Sequence, residues 1–267
     1  LQIDGYFETA DLNVKIKIDD YDIYVDYSNT SNQTNRASIN CVYNVTHSST
    51  MYPFKCALVP NIPNNTGLFN PIKVFAPKGS ILNTTFPHPV QARAKTTNNI
   101  NQVIFGALCD VFGEFAQAGS GSIWPFSVYG TDESQNTFSC HILPHGGRGA
   151  MKNMDGLLPI AFPHNSVVTP IEIMELKAPV LFEKKELIPN SGGAGKYRGG
   201  LSQMIIIKNI SKNVIKARIR PDKIVYAASG LNSGLSGIKG QVFYNGEEMT
   251  DFPILNFKPN DRIELIL

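Results

Sequence analysis

Cysteine is scarce in this sequence, because only four of its 267 residues are cysteines: Cys41, Cys56, Cys109 and Cys140. None of them forms a C-x-x-C pair, and four are too few for a disulfide scaffold in a chain of this length. We therefore expect reduced, mostly buried thiols. An apolar run near the ~20 residues of a membrane span is also missing, as is the basic-then-apolar layout of a signal peptide at the start. These absences favour a cytoplasmic location without a membrane partner.

An excess of charge of one sign is missing too. The sequence has 24 lysines and arginines against 22 acidic residues, which gives a formal net charge of +2. The basic residues are scattered and form no stripe that could follow a phosphate backbone, so nucleic acid is not an expected partner. The hydrophobic fraction of 42% and the charged fraction of 17% are typical of a globular protein with a sizeable core.

The first half of the chain mixes strand and helix signals. Residues 14–18 and 23–27 alternate apolar and polar side chains around a turn at 19–20, which predicts an antiparallel hairpin. Residues 39–59 carry apolar side chains at mixed spacing and predict a helix, although Pro53 interrupts the stretch.

A stronger helix signal follows, and after it the sequence becomes rich in glycine, proline and short β-prone runs. Apolar residues over 100–115 recur at the spacing of one helical face, with Asn98 or Asn99 as the expected cap and Gly119 as the expected end. From residue 120 onwards, glycine and proline separate short β-prone runs. These runs are 137–142, 180–187, 204–208, 214–219, 241–244 and 262–267. The sequence predicts an α+β fold, mainly antiparallel β with a few helices. Its C-terminal half is predominantly β, and an internal seam is expected near 119–121.

Two histidines, His141 and His145, stand four residues apart. On a helix this spacing would direct both rings towards one metal ion, but Pro144 lies between them and breaks a helix. A glycine-rich loop follows and consists of Gly146, Gly147, Arg148 and Gly149. Such a loop can bring backbone amides and a guanidinium close to an anion, and a purely structural turn fits the same residues.

A second glycine cluster lies at residues 191–200. Its turn-forming glycines are Gly192, Gly193 and Gly195. A Gly-Lys step ends many phosphate loops, but this chain has Asn190 and Tyr197 where such a loop needs glycine and serine or threonine. The residues after Gly200 are β-prone, which excludes a dinucleotide-binding turn. A G-x-S-x-G motif and an activated cysteine are also missing, so the residues alone assign no catalytic group.

Several segments together resemble the hydantoinase B/oxoprolinase family, in order and over nearly the whole chain. They are VDYSNTSNQ at 25–33, NIPNNTG at 61–67, APKGS at 76–80, the Asp155-Gly156 step and PNSGGAGKYRGG at 189–200. The last segment is the most specific. This family supplies the B-type subunit or domain of ATP-dependent enzymes that hydrolyse hydantoins, 5-oxoproline or caprolactam, or that carboxylate acetone or acetophenone.

The resemblance implies a division of labour between two kinds of subunit. An A-type partner binds ATP and Mg and phosphorylates the substrate, while the B-type subunit uses a divalent metal to handle the activated species. The family's His and Asp ligand motifs belong to an N-terminal half, and they do not occur in this sequence. We therefore expect residues 1–267 to be a C-terminal portion of a longer B-type protein, with a split or degenerate paralogue as the alternative. Its expected partners are the A-type subunit and the missing N-terminal half.

The resemblance implies that this chain is part of an ATP-dependent amidohydrolase of cyclic amides. In that enzyme the chain is expected to form walls of the substrate pocket and contacts with other subunits, and it is expected to be inactive alone. A ketone carboxylase and a non-catalytic assembly subunit stay open as alternatives. The polar residues expected to face a substrate pocket are His141, His145, Arg148 and Asp155. No catalytic residue and no metal ligand is predicted in this chain.

Overall fold

The computed structural model describes residues 1–4, 9–35, 39–164, 166 and 168–267. The chain forms two compact units. Unit 1 comprises Leu1–Ala118 together with Met151–Met154, and unit 2 comprises Gly119–Ala150 together with Asp155–Leu267. The longer helices belong to unit 1 and most of the strands to unit 2.

Unit 1 combines two small sheets with four helices among its described residues. The strands are β1 (Gln2–Asp4), β2 (Thr9–Asp11), β3 (Lys15–Ile18), β4 (Ile23–Asp26) and β5 (Ile72–Phe75). The helices are α1 (Tyr43–Leu58), α2 (Thr66–Phe69), α3 (Arg93–Ala107) and α4 (Cys109–Phe112), and a 3₁₀ turn at Gly113–Phe115 follows them. The predicted hairpin is confirmed, because β3 pairs with β4 in antiparallel fashion, and β5 joins β4 in parallel.

The stretch with mixed apolar spacing is helical, as predicted, and Pro53 lies inside α1 without ending it. Proline removes one helical hydrogen bond, which disfavours an interior position. Here the buried side chains of Met51 and Phe54 contribute about 1.5–3 kcal/mol each in transfer free energy, which offsets that loss.

The helix over the periodic apolar run differs from the prediction at both ends. α3 begins at Arg93 and ends at Ala107, well before Gly119. Asn98 and Asn99 are not caps, because both lie inside α3, where the Asn99 side chain donates to the Lys95 carbonyl at 2.8 Å. Periodicity located the buried face only in part: Ile100, Ile104, Leu108 and Phe112 are buried, whereas Val111 and Phe115 are exposed. Polar residues near the start of the helix, Lys95, Thr96 and Asn99, are buried too, which an apolar pattern does not reveal.

Unit 2 contains two antiparallel sheets and one short helix, α5 (Ile171–Lys177), within the part of the chain that is described. The strands are β6 (Phe126–Thr131), β7 (Thr137–Ile142), β8 (Val180–Leu187), β9 (Gln203–Asn209), β10 (Ile215–Ile219), β11 (Gln241–Tyr244), β12 (Glu247–Glu248), β13 (Leu255–Phe257) and β14 (Arg262–Ile266). One sheet has the order β13-β10-β6-β7 and the other β12-β11-β14-β9-β8. The predicted α+β class with a β-rich second half is confirmed.

The core of unit 2 follows from strict alternation along its central strands. In β9 and β10 every second residue is buried, so each strand turns one apolar side to the interior. Ile207, Ile215 and Ala217 are fully buried in this way. The single tryptophan, Trp124, is 1% exposed and belongs to the same cluster, which makes it a fluorescent reporter of unit 2.

All four cysteines are free thiols, as expected. Cys41 and Cys140 are buried, and burial raises the pKa of the Cys41 thiol to about 12. Among the residues described, no helix has the length and apolarity needed to cross a membrane.

A buried hydroxyl pair joins the end of the β3–β4 hairpin to α1. The phenolic oxygen of Tyr27 lies 2.8 Å from Thr50 Oγ1, and the Thr50 hydroxyl donates to the Thr46 carbonyl at 2.8 Å, so Tyr27 is the donor. The replacement Tyr27→Phe is expected to lower the free energy of unfolding of unit 1 by about 1 kcal/mol, because Thr50 loses its donor while the ring stays buried.

This loss is measured by urea unfolding of the whole chain, followed by far-ultraviolet circular dichroism, since α1 to α4 lie in unit 1. The matched control is Tyr21→Phe, because Tyr21 is 90% exposed. Equal shifts in the two variants would contradict a role for the Tyr27 hydroxyl.

Candidate functional site

Glycine-rich loops of unit 2 meet in direct backbone contact. We call residues 119–122, 145–149, 155–157 and 191–200 the glycine hub. Gly121 donates its N–H to the Gly147 carbonyl at 2.8 Å, and Gly200 donates to the Arg148 carbonyl at 2.8 Å. Arg148 in turn donates to the Leu157 carbonyl at 3.0 Å. Segments far apart in sequence are therefore joined by main-chain hydrogen bonds outside any sheet.

The close approach of these backbones requires glycine. A Cβ atom at Gly200 would lie 1.9 Å from the Leu157 carbonyl oxygen, and one at Gly147 would lie 2.3 Å from the Gly200 carbonyl oxygen. Both separations are far shorter than a van der Waals contact, and the obstacle is backbone that cannot move aside. The requirement is one of space, since a protein interior is close-packed.

The other sequence-predicted turn glycines occupy positions of unequal tightness. A Cβ atom added at Gly146 would lie 2.6 Å from the Gly121 Cα. One added at Gly192 would lie 2.0 Å from a carbonyl oxygen, and one added at Gly193 would lie 2.2 Å from another. At Gly195 the nearest atom would be 3.1 Å away. Gly149 donates its N–H to Ser120 Oγ at 3.0 Å. The tight contacts at Gly146 and Gly192 are therefore made within the hub, whereas the one at Gly193 is with Leu235 outside it.

We predict that Gly200→Ala lowers the free energy of unfolding of unit 2 by at least about 2 kcal/mol, because the added methyl forces two backbone segments apart. Urea unfolding followed by Trp124 fluorescence measures the effect. The control is Gly237→Ala, where the new Cβ would meet its nearest atom at 3.4 Å, an ordinary contact. If the two variants were equally stable, backbone contact would not be what holds the hub.

His145 lies in the hub with its ring sealed from solvent. The residue is 1% exposed, and neither ring nitrogen has a hydrogen-bond partner among the described residues. Its position is fixed through the backbone, because Gln203 Nε2 donates to the His145 carbonyl at 2.5 Å. Burial lowers the pKa of His145, and the nearby charges of Lys185 and His164 lower it further. The imidazole is therefore neutral near physiological pH.

This lowered pKa gives the protein a predictable response to acid. An unfolded histidine binds its proton near pH 6.5, whereas folded His145 does so only at lower pH, so acidification below about pH 6.5 favours the unfolded state. The replacement His145→Leu is expected to reduce the loss of stability between about pH 7.5 and about pH 5.5. It should also add about 1 kcal/mol at the higher pH, since a buried unsatisfied ring is removed.

Urea unfolding at the two pH values, followed by Trp124 fluorescence, provides the measurement. The control is His141→Asn, an exposed position that should keep the acid response of the parent chain. An unchanged acid response in His145→Leu would show that the buried imidazole does not cause it.

Arg148 and Asp155 belong to the same loop cluster. The guanidinium carbon of Arg148 lies 5.8 Å from the centre of the Phe162 ring, within the range of a cation–π contact. Asp155 is exposed, and its Oδ1 accepts the backbone N–H of Arg198 at 2.8 Å. Gly156 donates to the Arg198 carbonyl at 2.7 Å, so both backbone polar groups of Arg198 are hydrogen-bonded to this loop. The hub thus brings a guanidinium and a carboxylate into one set of paired loops.

His141 takes a different position from the other three predicted residues. It lies on β7 with an exposed side chain, 2.7 Å from Ser127 Oγ through Nδ1 and 3.4 Å from Ser139 Oγ through Nε2. Its neighbours are sheet-surface serines outside the hub. Sequence reasoning did not single out Arg198, because its bond to Asp155 joins residues far apart in the chain.

The chemistry of these side chains suits binding and orientation. No group of three or more His, Cys, Asp or Glu side chains that could hold a metal ion occurs among the described residues. The buried His145 ring also lies near cationic Lys185, which disfavours a second cation. The described residues therefore do not fit a divalent metal, whereas a guanidinium and a carboxylate can contact polar groups of a ligand or a partner.

Comparison with known proteins gives a consistent result along the whole chain. The family model for hydantoinase B/oxoprolinase matches residues 2–266. An uncharacterized protein of Methanocaldococcus jannaschii is 33% identical over 86% of this chain. A putative B-type D-/L-hydantoinase subunit of a Pseudomonas species is 28% identical over 97%, and the 5-oxoprolinase PfmaA of Pestalotiopsis fici is 30% identical over 95%. The chain spans 40%, 46% and 20% of these three relatives, respectively.

Two solved structures share the fold. A nucleotide-free acetone carboxylase matches 97% of this chain with a TM-score of 0.86 and 15% identity. An ATP-dependent caprolactamase from Pseudomonas jessenii matches 96% with a TM-score of 0.76 and 17% identity. The chain covers 40% and 47% of those chains, respectively.

Proposed function

Because the chain belongs to the hydantoinase B/oxoprolinase family, we propose that it works as part of the B-type subunit of an ATP-dependent hydrolase of cyclic amides. The observation that carries this proposal is the match of 97% of the chain to a putative hydantoinase subunit of the B type. The relative of 30% identity named as a 5-oxoprolinase supports a cyclic amide as the substrate class. Since the chain spans less than half of these relatives, the activity belongs to a larger assembly.

The part we assign to this chain is to form a wall of the substrate pocket and to contact other subunits. Asp155 is exposed and Arg148 half-buried. Backbone hydrogen bonds hold Arg148, and the Arg198 N–H holds the Asp155 carboxylate. Functional groups on a rigid support lose little entropy when they bind a ligand. The guanidinium offers a planar set of donors for carbonyl or phosphoryl oxygens, and the carboxylate offers acceptors for an amide N–H.

The proposed partners follow from what the described residues do not supply. An A-type subunit would bind ATP and Mg and activate the amide, and the remaining half of the B-type subunit would carry the divalent metal. Such a metal lowers the pKa of bound water towards neutrality. Because the described residues of this chain do not fit a metal, we assign none of the hydrolytic steps to them.

The proposal is tested with the full-length B-type subunit that contains this chain, purified together with its A-type partner. Release of phosphate from ATP is measured with hydantoin, 5-oxoproline and caprolactam as substrates, and ring opening is followed by mass spectrometry. We expect phosphate release that depends on at least one cyclic amide. Incorporation of labelled bicarbonate into a ketone without amide turnover would overturn the hydrolase in favour of a carboxylase, and a complex without any ATP turnover would favour an assembly role.

The pocket-wall role of the hub is tested in the same complex with Asp155→Asn. Asparagine keeps the oxygen that accepts the Arg198 N–H and removes the charge, so the fold should survive while kcat/KM falls roughly tenfold. The control is Asp251→Asn, another exposed carboxylate that accepts a backbone N–H, from Phe252 at 2.8 Å. Equal kinetics in the two variants would restrict Asp155 to a structural role.

A further inference from the structure

Unit 1 contains two adjoining cavities that differ in polarity. The first has a volume of about 430 Å³ and lies between the second half of α1 and the segment around α2; Met51, Phe54 and Leu58 form much of its apolar wall. The second is a groove of about 660 Å³ lined by Tyr43, His47, Asn64, Asn70 and Lys73, among others. Asn65, Phe69 and Ile72 line both cavities, so the two lie side by side and share a wall.

The first cavity offers a ligand apolar surface only. Its two polar lining residues, Lys55 and Asn65, are already engaged with the backbone. Lys55 Nζ donates to the Val59 carbonyl at 2.6 Å and to the Pro60 carbonyl at 2.8 Å. The Asn65 side chain accepts from the Leu68 N–H at 3.0 Å and donates to the Pro63 carbonyl at 2.8 Å. With these groups satisfied, the cavity suits a hydrocarbon, since its size is within the range of small-molecule pockets.

The adjoining groove offers donors and a positive charge. Lys73 is the one lysine, arginine, aspartate or glutamate among its described lining residues. Its Nζ donates to the Asn70 carbonyl at 2.5 Å and pairs with Asp22, outside the lining, at 3.9 Å. An ammonium group has three donors, so Lys73 can still donate to a ligand. The amides of Asn64 and Asn70 can also donate to a ligand. A carboxylate head suits this donor set better than an ammonium head, because the groove has donors and no lining carboxylate among the described residues.

We propose that unit 1 binds a single-chain amphiphile with a carboxylate head, a medium-chain carboxylate in chemical terms. The tail occupies the apolar cavity, and the head lies in the groove near Lys73. The ligand would pass from the cavity to the groove beside Phe69 and Ile72, which line both. This site lies within unit 1, so the proposal is independent of the function assigned to the glycine hub.

The test is isothermal titration of the full chain with straight-chain carboxylates from butanoate to decanoate, below their micelle concentrations. Each added methylene should tighten binding roughly fourfold until the apolar cavity is full, since each buried methylene contributes a nearly constant transfer free energy. Octanol, which has the same tail and no carboxylate, should bind at least tenfold more weakly than octanoate. Affinity that does not rise with chain length, or absence of binding, would overturn the proposal.

Three variants locate the site. Leu58→Glu places a charge at the mouth of the apolar cavity and should weaken octanoate at least tenfold, while Lys73→Met should weaken octanoate and leave octanol unchanged. The control is Leu176→Glu, since Leu176 is 83% exposed on α5 of unit 2. Equal loss in Leu58→Glu and Leu176→Glu, or equal loss of octanol and octanoate in Lys73→Met, would overturn the assignment. Circular dichroism of each variant separates lost binding from lost folding.

Discussion

Direct contact between backbones in the glycine hub is the constraint on which the candidate site depends. Where Gly200 passes the Leu157 carbonyl, a side chain has no room at all. The same closeness lets Arg148 receive a hydrogen bond from Gly200 and give one to Leu157, so two distant segments hold a third between them. Side chains on such loops are therefore positioned as precisely as side chains on a strand. Loops usually trade precision for mobility, and here backbone pairing removes much of that mobility.

This arrangement has a cost that the β-rich core of unit 2 offsets. Glycine loses more conformational entropy on folding than any other residue, and the hub contains many glycines. The core compensates through fixed attachments. Trp124, buried among the core residues, donates its backbone N–H to the Pro144 carbonyl, and Gln203 at the start of β9 donates to the His145 carbonyl. The loop that carries Arg148 is therefore attached at its first residues to a core residue and to β9. The buried apolar side chains of the strands therefore help to fix the positions of the polar side chains in the hub.

Local patterns predicted the elements of this fold far better than its junctions. The runs 137–142, 180–187 and 241–244 match β7, β8 and β11 residue for residue, because alternation and turn residues are local signals. The parallel pairing of β5 with β4 depends on contacts across some fifty intervening residues and has no local signal. The same holds for the site. The glycine clusters were evident in the sequence, whereas the burial of His145 and the bond from Arg198 to Asp155 arise from tertiary packing alone.

The chemistry of the hub also bears on the proposed division of labour between subunits. A hydrolase needs a strong nucleophile at neutral pH, which a metal-bound water supplies when three or more ligands converge. The described residues converge in another way. Arg148 is held over an aromatic ring, Asp155 is bonded to a backbone N–H, and the neutral His145 ring is buried away from solvent. These groups can orient a substrate or hold a neighbouring surface without reacting. The proposed function therefore assigns the reactive centre to residues other than those described, and the chain covers less than half of the putative B-type hydantoinase subunit that it matches.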